Sequence, residues 1–227
     1  MKTIQCQQNS LEWLVARSGI PTASEFDNLL TPKFEPRKGQ MPESYLAQKL
    51  AERWIGGPLP GFQTLDMDFG KILEDEAKPF YTFQLNEEIQ SIGLVTTDDG
   101  KIGASPDGLI GNDGGIEIKC PEAKTHVKYL MAGKLPDEYV LQVHGSMFVT
   151  GRSWWKFMSY RRRFPEYITT IERDEKINAV IKEVLYAFCE RLDAGYKRLC
   201  EMNGGPPARP AAQQPEPSPE ESSDIPT

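Results

Sequence analysis

The stretch from Ser105 to Lys119 constrains this chain more than any other. Asp107-Gly108 and Asn112-Asp113-Gly114-Gly115 are turn signatures, and Ile116-Glu117-Ile118-Lys119 alternates apolar and charged, so the stretch reads as a hairpin. Strand side chains point alternately to opposite faces, which sets Glu117 and Lys119 on one face and Ile116 and Ile118 on the other. Asp107 lies across the turn, near enough to converge with Glu117. Two carboxylates and a lysine suit a hard divalent cation with a water beside it. Carboxylate oxygens take Mg²⁺ at roughly 2.0–2.1 Å, and the ammonium steadies an attacking hydroxide. A Glu-x-Lys alone is more often a solvated strand face. Here a Pro-Asp-Gly turn precedes it and isoleucines flank it.

The 227 residues and 39% hydrophobic content allow one sizeable domain. A single domain is expected over 1–203. Residues 204–227 hold 7 of the chain's 18 prolines and carry −3 (Arg209 against Glu216, Glu220, Glu221 and Asp224), so they read as a disordered tail. No apolar run reaches the roughly 18–20 residues of a membrane span, and the first residues have no signal core, which makes the cytoplasm the expected compartment. Cys6, Cys120, Cys189 and Cys200 form no Cys-x-x-Cys, and His126 and His144 lack ligand spacing, which argues against zinc and a disulfide framework. The net charge of −7 weighs mildly against nucleic acid, although an enzyme needs only a local positive track.

Along the chain, Thr22 with Glu25 reads as a capping box opening a short helix. Arg17, Ser24 and that helix start could together hold an anion. Residues 31–42 carry Lys33, Arg37 and Lys38 and read as a mobile basic loop. Residues 43–55 form an amphipathic helix whose Lys49 and Arg53 face water. A helix is expected over 69–83 with a kink near Asp75 ahead of Pro79. Strands follow over 88–97 and 101–104, leading as an antiparallel meander into the hairpin. Helices are then expected over 125–131 and 136–150, strands over 154–160 and 167–172, and a long helix from Asp174 to Met202.

Taken together, Arg17 with Thr22-Ala23-Ser24-Glu25, Gly70-Lys71 with Glu74, Ser105-Pro106-Asp107-Gly108, Glu117-Ile118-Lys119-Cys120-Pro121, Gln142-Val143 with Ser146-Met147, and Ile171-Glu172-Arg173-Asp174-Glu175 resemble the phage lambda exonuclease family. That family of phage-type recombination exonucleases belongs to the metal-dependent PD-(D/E)xK nuclease superfamily. The resemblance implies an α+β fold, a central mixed sheet flanked by helices with a restriction-endonuclease-like core. It implies that Asp107, Glu117 and the Ile118 carbonyl hold metal, with two Mg²⁺ ions per site and Mn²⁺ as a substitute. Lys119 would position or activate water, Glu74 would be an outer carboxylate and Gln142 would orient the site. Arg17, Ser24 and Ser105 match the positions that bind a 5′-phosphate. Residues near Met67 fall where the family sets an apolar wedge between strands. Asp75, Glu76 and Pro79 leave open which of Glu74, Asp75 and Glu76 faces the metal. His144, two residues after Gln142, reads as a packing residue, with a DNA or water contact as the lesser alternative.

The expected function is a Mg²⁺-dependent 5′-to-3′ exonuclease on double-stranded DNA. It would release 5′-mononucleotides and leave a 3′ overhang for recombination by strand annealing. The resemblance adds a homotrimeric ring around DNA, a single-strand annealing protein as partner and, for a phage-encoded member, the host bacterial cytoplasm. An endonuclease on the same core is the main rival, but it has no need of an end-recognition cluster at Arg17 and Ser24. A non-catalytic scaffold or a protein-interaction domain leaves Asp107, Glu117 and Lys119 without a purpose.

Overall fold

The computed structural model describes residues 1–60, 76–83 and 87–205. Its strands are β1 (Lys2–Ile4), β2 (Ile89–Gln90), β3 (Leu94–Thr96), β4 (Gly103–Ala104), β5 (Gly108–Ile110), β6 (Gly114–Lys119), β7 (Trp154–Ser159) and β8 (Tyr167–Glu172). Its helices are α1 (Leu11–Arg17), α2 (Gln40–Ile55), α3 (76–83), α4 (Ala123–Ala132), α5 (Val140–Thr150) and α6 (Glu175–Asn203), with 3-10 turns at Ala23–Asn28 and Asp137–Tyr139. A five-stranded sheet runs β2-β5-β6-β7-β8 and a three-stranded sheet runs β1-β3-β4. The larger sheet is mixed. Only β6 and β7 are parallel among its pairs, and a parallel pair needs a long crossover, here supplied by α4 and α5. This is the expected mixed sheet with flanking helices.

The hairpin is real, but Gly114 and Gly115 open β6 and do not form its turn. The register sets Gly114 opposite Trp154 and Gly115 opposite Trp155. A Cβ on Gly114 would lie 2.0 Å from Trp154 Cζ2, and one on Gly115 2.3 Å from Trp155 Cη2. The glycine pair therefore makes room for two indoles, one on each face of the sheet. The connection left between β5 and β6 is held from outside. Buried Arg152 donates through Nη1 to the carbonyls of Ile110 (3.2 Å), Gly111 (2.9 Å) and Gly114 (2.6 Å).

Period-two alternation splits the sheet between two apolar clusters. Ile110, Ile116, Ile118 and Met158 pack with Ala77 and Tyr81 of α3. Leu109 and Trp155 face Val143 and Met147 of α5, beyond which lie Phe26, Leu30 and the Ile181, Leu185 and Phe188 stripe of α6.

Several expectations are corrected. The strand expected over 88–97 divides between the two sheets, because β3 leaves to pair with β1. Gly93 marks the break: a Cβ there would sit 2.3 Å from the Cys6 carbonyl oxygen of the crossing N-terminal segment. The simple meander is thereby lost. The short helix is 3-10 and Thr22 does not cap it with its side chain, because the hydroxyl is bonded to Arg17 and to Glu25 instead. The basic loop is pinned by backbone bonds, Thr31 N–H to Glu35 C=O (2.9 Å) and Arg37 N–H to Leu29 C=O (2.8 Å). Lys49 is buried at 2% exposure, and Arg53 ties the Gly19 carbonyl (2.7 Å) to Asp193 (2.7 Å). Glu74, Asp75, the expected kink, Met67 and the tail from 206 onward lie outside the described residues.

Gly115→Ala should cost about 1–3 kcal/mol in urea unfolding, because the added methyl must displace the buried Trp155 ring. Unchanged stability would mean that the indole has room to move aside.

Candidate active site

Strand lengths create the site. β5 ends its pairing with β6 at Gly108 opposite Ile116, so the last residues of β6 overhang it. A backbone N–H left without a strand partner inside a protein must find another acceptor. For Ile118 that acceptor is Asp107, whose Oδ2 takes the N–H at 2.6 Å. On the other edge the Lys119 carbonyl accepts from Tyr160 N–H at 2.9 Å. By strand alternation the Ile118 carbonyl turns to the Asp107 edge.

Glu117 is 1% exposed and Asp107 9%. A buried carboxylate is costly unless neutralised and hydrogen-bonded. Glu117 Oε1 accepts from Lys119 Nζ and from Gln142 Nε2, each at 2.5 Å. Gln142 comes from the first turn of α5, so the crossover helix closes over the strand it follows. The Lys119 ammonium also faces the Tyr139 ring, 5.2 Å from its centroid, and that ring stacks on Phe157 at 5.2 Å. Burial works against the charge on Lys119, but Glu117 and then Asp107 outweigh it and hold its pKa above the ordinary lysine value. Lys119 is therefore a fixed cation at neutral pH.

The anion-binding candidates form a second cluster joined to the first. Arg17 Nη2 donates to Thr22 Oγ1 (2.9 Å) and Ser24 Oγ (3.0 Å). Its guanidinium lies over Trp13, 4.3 Å from the ring centroid, and Trp13 Nε1 donates to Ser105 Oγ at 2.9 Å. Ser105 is two residues before Asp107, and Gln8 fixes the intervening bend by donating to the Pro106 carbonyl at 2.8 Å. Arg17, Ser24 and Ser105 thus meet through Trp13, and their cluster runs along the chain into Asp107.

Other candidates are elsewhere. Glu76 is partly exposed and paired with Arg162 (Nε to Oε2, 2.7 Å), so of the three acidic neighbours it is taken up by an ion pair. His126 is fully buried between Ser159 Oγ (2.7 Å) and the Pro165 carbonyl (2.9 Å). His144 packs edge-on with Phe34, and burial lowers its pKa. Trp13, Tyr139 and Lys49 were not expected at either site. Trp13 is one helical turn before Arg17, and Lys49 shares the face of α2 with Tyr45, so helical spacing held that signal.

Asp107, Glu117 and the Ile118 carbonyl are an all-oxygen donor set, which fits a hard dication such as Mg²⁺. Among the described residues no three His, Cys, Asp or Glu side chains gather as a metal cluster. The further carboxylate expected, Glu74, lies outside them. No helix among the described residues is long and apolar enough to cross a membrane.

Residues 12–153 match the YqaJ-like viral recombinase domain. The fold is similar to that of LHK-Exo, an alkaline exonuclease from Laribacter hongkongensis, at 34% identity over 86% of this chain and 98% of that one, with a TM-score of 0.76. A crystal structure of LHK-Exo in complex with dAMP gives 34% identity, the same coverage and a TM-score of 0.77. A phage-related exonuclease from Haemophilus somnus 129PT shares the fold at 15% identity, over 79% of this chain and 96% of its own, with a TM-score of 0.59. Among curated protein sequences none matches.

Beneath Arg17, burial raises the Glu25 pKa, but Lys49, Arg17 and the Thr22 hydroxyl together bring it below the ordinary glutamate value. A depressed carboxyl pKa contributes stability above its unfolded value of about 4.3, and that contribution is lost as pH falls through the folded value. The stability difference between the parent and Glu25→Gln should therefore be largest above about pH 5 and shrink at lower pH. A difference independent of pH from 3 to 7 in urea unfolding would mean that the Glu25 charge contributes nothing.

Proposed function

The chain belongs to the family of YqaJ-like viral recombinase domains, the phage-type recombination exonucleases, and we propose that it is a Mg²⁺-dependent 5′-to-3′ exonuclease on double-stranded DNA. The observation that carries the reading is the convergence of Asp107, Glu117, Lys119 and Gln142 on the overhanging end of β6. The binding of dAMP to the 34%-identical relative supports mononucleotides as products.

Asp107, Glu117 and the Ile118 carbonyl would hold the metal, with Glu74 as a further carboxylate, and Mn²⁺ would serve in place of Mg²⁺. When bound, the two ions would supply hydroxide at neutral pH and stabilise charge on the phosphate oxygens. Lys119, a fixed ammonium beside Glu117, would position the attacking water and offset the negative charge that develops at phosphorus. Gln142 would keep the Glu117 carboxylate in orientation through its amide. The water oxygen bonds to phosphorus as the bond from phosphorus to the 3′-oxygen breaks, and the released nucleotide keeps its 5′-phosphate. Arg17, Ser24 and Ser105 would receive the terminal 5′-phosphate, whose second charge an internal phosphodiester lacks. Contacts of this kind read no bases, so sequence preference should be low.

The family resemblance further supports a ring of three subunits around the duplex and a single-strand annealing protein that receives the 3′ overhang. A phage-encoded enzyme of this kind would work in the host's cytoplasm.

Linear duplex DNA labelled separately at its 5′ and 3′ ends tests the reading. With Mg²⁺ the 5′ label should appear first, as mononucleotide, and without metal neither should be released. Lys119→Met should still bind DNA but cleave about 10²–10³-fold more slowly. Cutting of closed circular DNA would favour an endonuclease. Near-parental cleavage by Lys119→Met would remove the lysine from the chemistry.

A further inference from the structure

An ammonium inside a protein is expensive unless carboxylates surround it. Lys49, on α2, is such a group at 2% exposure. Its Nζ lies 3.0 Å from Glu52 Oε2 and 3.1 Å from Glu25 Oε2. Glu52 is fixed from the other side by Gly19 N–H (2.7 Å) and Gln48 Nε2 (2.8 Å). Glu25 Oε2 also accepts from Thr22 Oγ1 (2.8 Å) and Tyr45 Oη (3.2 Å), and lies 3.9 Å from Arg17 Nη2. That same Arg17 nitrogen reaches Thr22 and Ser24.

The chain of charges therefore runs from the buried Glu52 and Lys49 to Glu25 and Arg17, both partly exposed. Two cations and two anions balance. Apolar packing would join α2 to the 3-10 turn without any desolvation cost, so an ion chain ending on the end-binding arginine calls for another reason. We propose that Lys49 is a positioning residue for recognition of the DNA end: it neutralises Glu25 and leaves the Arg17 guanidinium available to a terminal phosphate. This inference rests on the 5′-phosphate reading given above.

The consequence of losing Lys49 is specific. Glu25 would turn to its remaining cation, Arg17, and its uncompensated charge would oppose a phosphate dianion at the same place. The side chains of Asp107, Glu117 and Lys119 would be untouched. A charge a few ångströms from the phosphate, at the effective dielectric of a protein surface, gives an effect of roughly tenfold or more.

The experiment compares initial rates of the full-length parent, Lys49→Met and the double variant Lys49→Met with Glu25→Gln. The substrates are linear duplexes ending in 5′-phosphate or 5′-hydroxyl. Lys49→Met should lower the preference for phosphate about tenfold, through KM, with kcat within about twofold of the parent. The double variant removes both charges and should recover most of that preference. A folded Lys49→Met with parental preference, or a double variant no better than the single one, would overturn the inference and leave Lys49 as a packing residue. Where Lys49→Met does not fold, Glu25→Gln alone decides. It should hold or raise the preference, and a fall would contradict the inference. A parent indifferent to the end group would overturn the 5′-phosphate reading and this inference with it. A parental preference that survives Lys49→Met overturns this inference alone.

Discussion

The hydrogen bond from Ile118 N–H to the Asp107 carboxylate, at 2.6 Å, is the contact on which the site depends. It exists because β6 is longer than β5. Had β5 begun two residues earlier, a backbone carbonyl would have taken the Ile118 N–H and Asp107 would have been a strand side chain. The overhang turns an unmet backbone donor into the anchor of an acid beside a second acid. It also leaves the Ile118 carbonyl on the same edge, so one strand end gathers three oxygen donors. Everything else holds that strand end in register: Arg152 on the hairpin connection, the glycine pair beneath two tryptophans, and the parallel partner β7 reached through α4 and α5.

Charge is handled in the same way at both clusters. Glu117 is buried and neutralised by Lys119, with Gln142 as a neutral donor. Glu25 is partly buried and neutralised by Lys49, with Thr22 and Tyr45 as neutral donors. At Glu25 burial alone would raise the carboxyl pKa, and Lys49, Arg17 and the Thr22 hydroxyl bring it below the ordinary glutamate value instead. The buried trunk of the hairpin supplies the rigidity, while Trp13 joins the two clusters by touching Arg17 with its ring face and Ser105 with its N–H. Binding of an end and attack on the first phosphodiester would thus share one framework.

Much of this was legible in the sequence, for reasons that differ by element. Alternation in Ile116 to Lys119 separates the polar from the apolar face without any tertiary information. Strand β7 and helix α6 were likewise set by periodicity alone. Periodicity failed where a distant segment decided the outcome. Gly114-Gly115 looks like a turn until Trp154 and Trp155 lie over it. The strand over 88–97 looks continuous until Cys6 crosses at Gly93. Lys49 looks solvated by composition, although its spacing from Tyr45 puts it on the inward face, because the carboxylates that make its burial tolerable come from other parts of the fold and of the helix. Thr22 and Glu25 have the spacing of a capping box, but the cations of Arg17 and Lys49 drew both side chains away from the helix end. Glu74 and its neighbours at 61–75 lie outside the described residues, so the outer carboxylate rests on resemblance.

We propose that the end of β6 is a metal site. It is tested most directly by calorimetric titration of Mg²⁺ into the parent and into Glu117→Gln, which keeps the shape of the side chain and removes its charge. Saturable binding to the parent is expected, with an affinity at least about tenfold weaker in the variant, since a hard dication is held chiefly by carboxylate charge. Equal Mg²⁺ affinity in the two proteins would contradict it and would put the metal, if one is used, somewhere other than this hairpin.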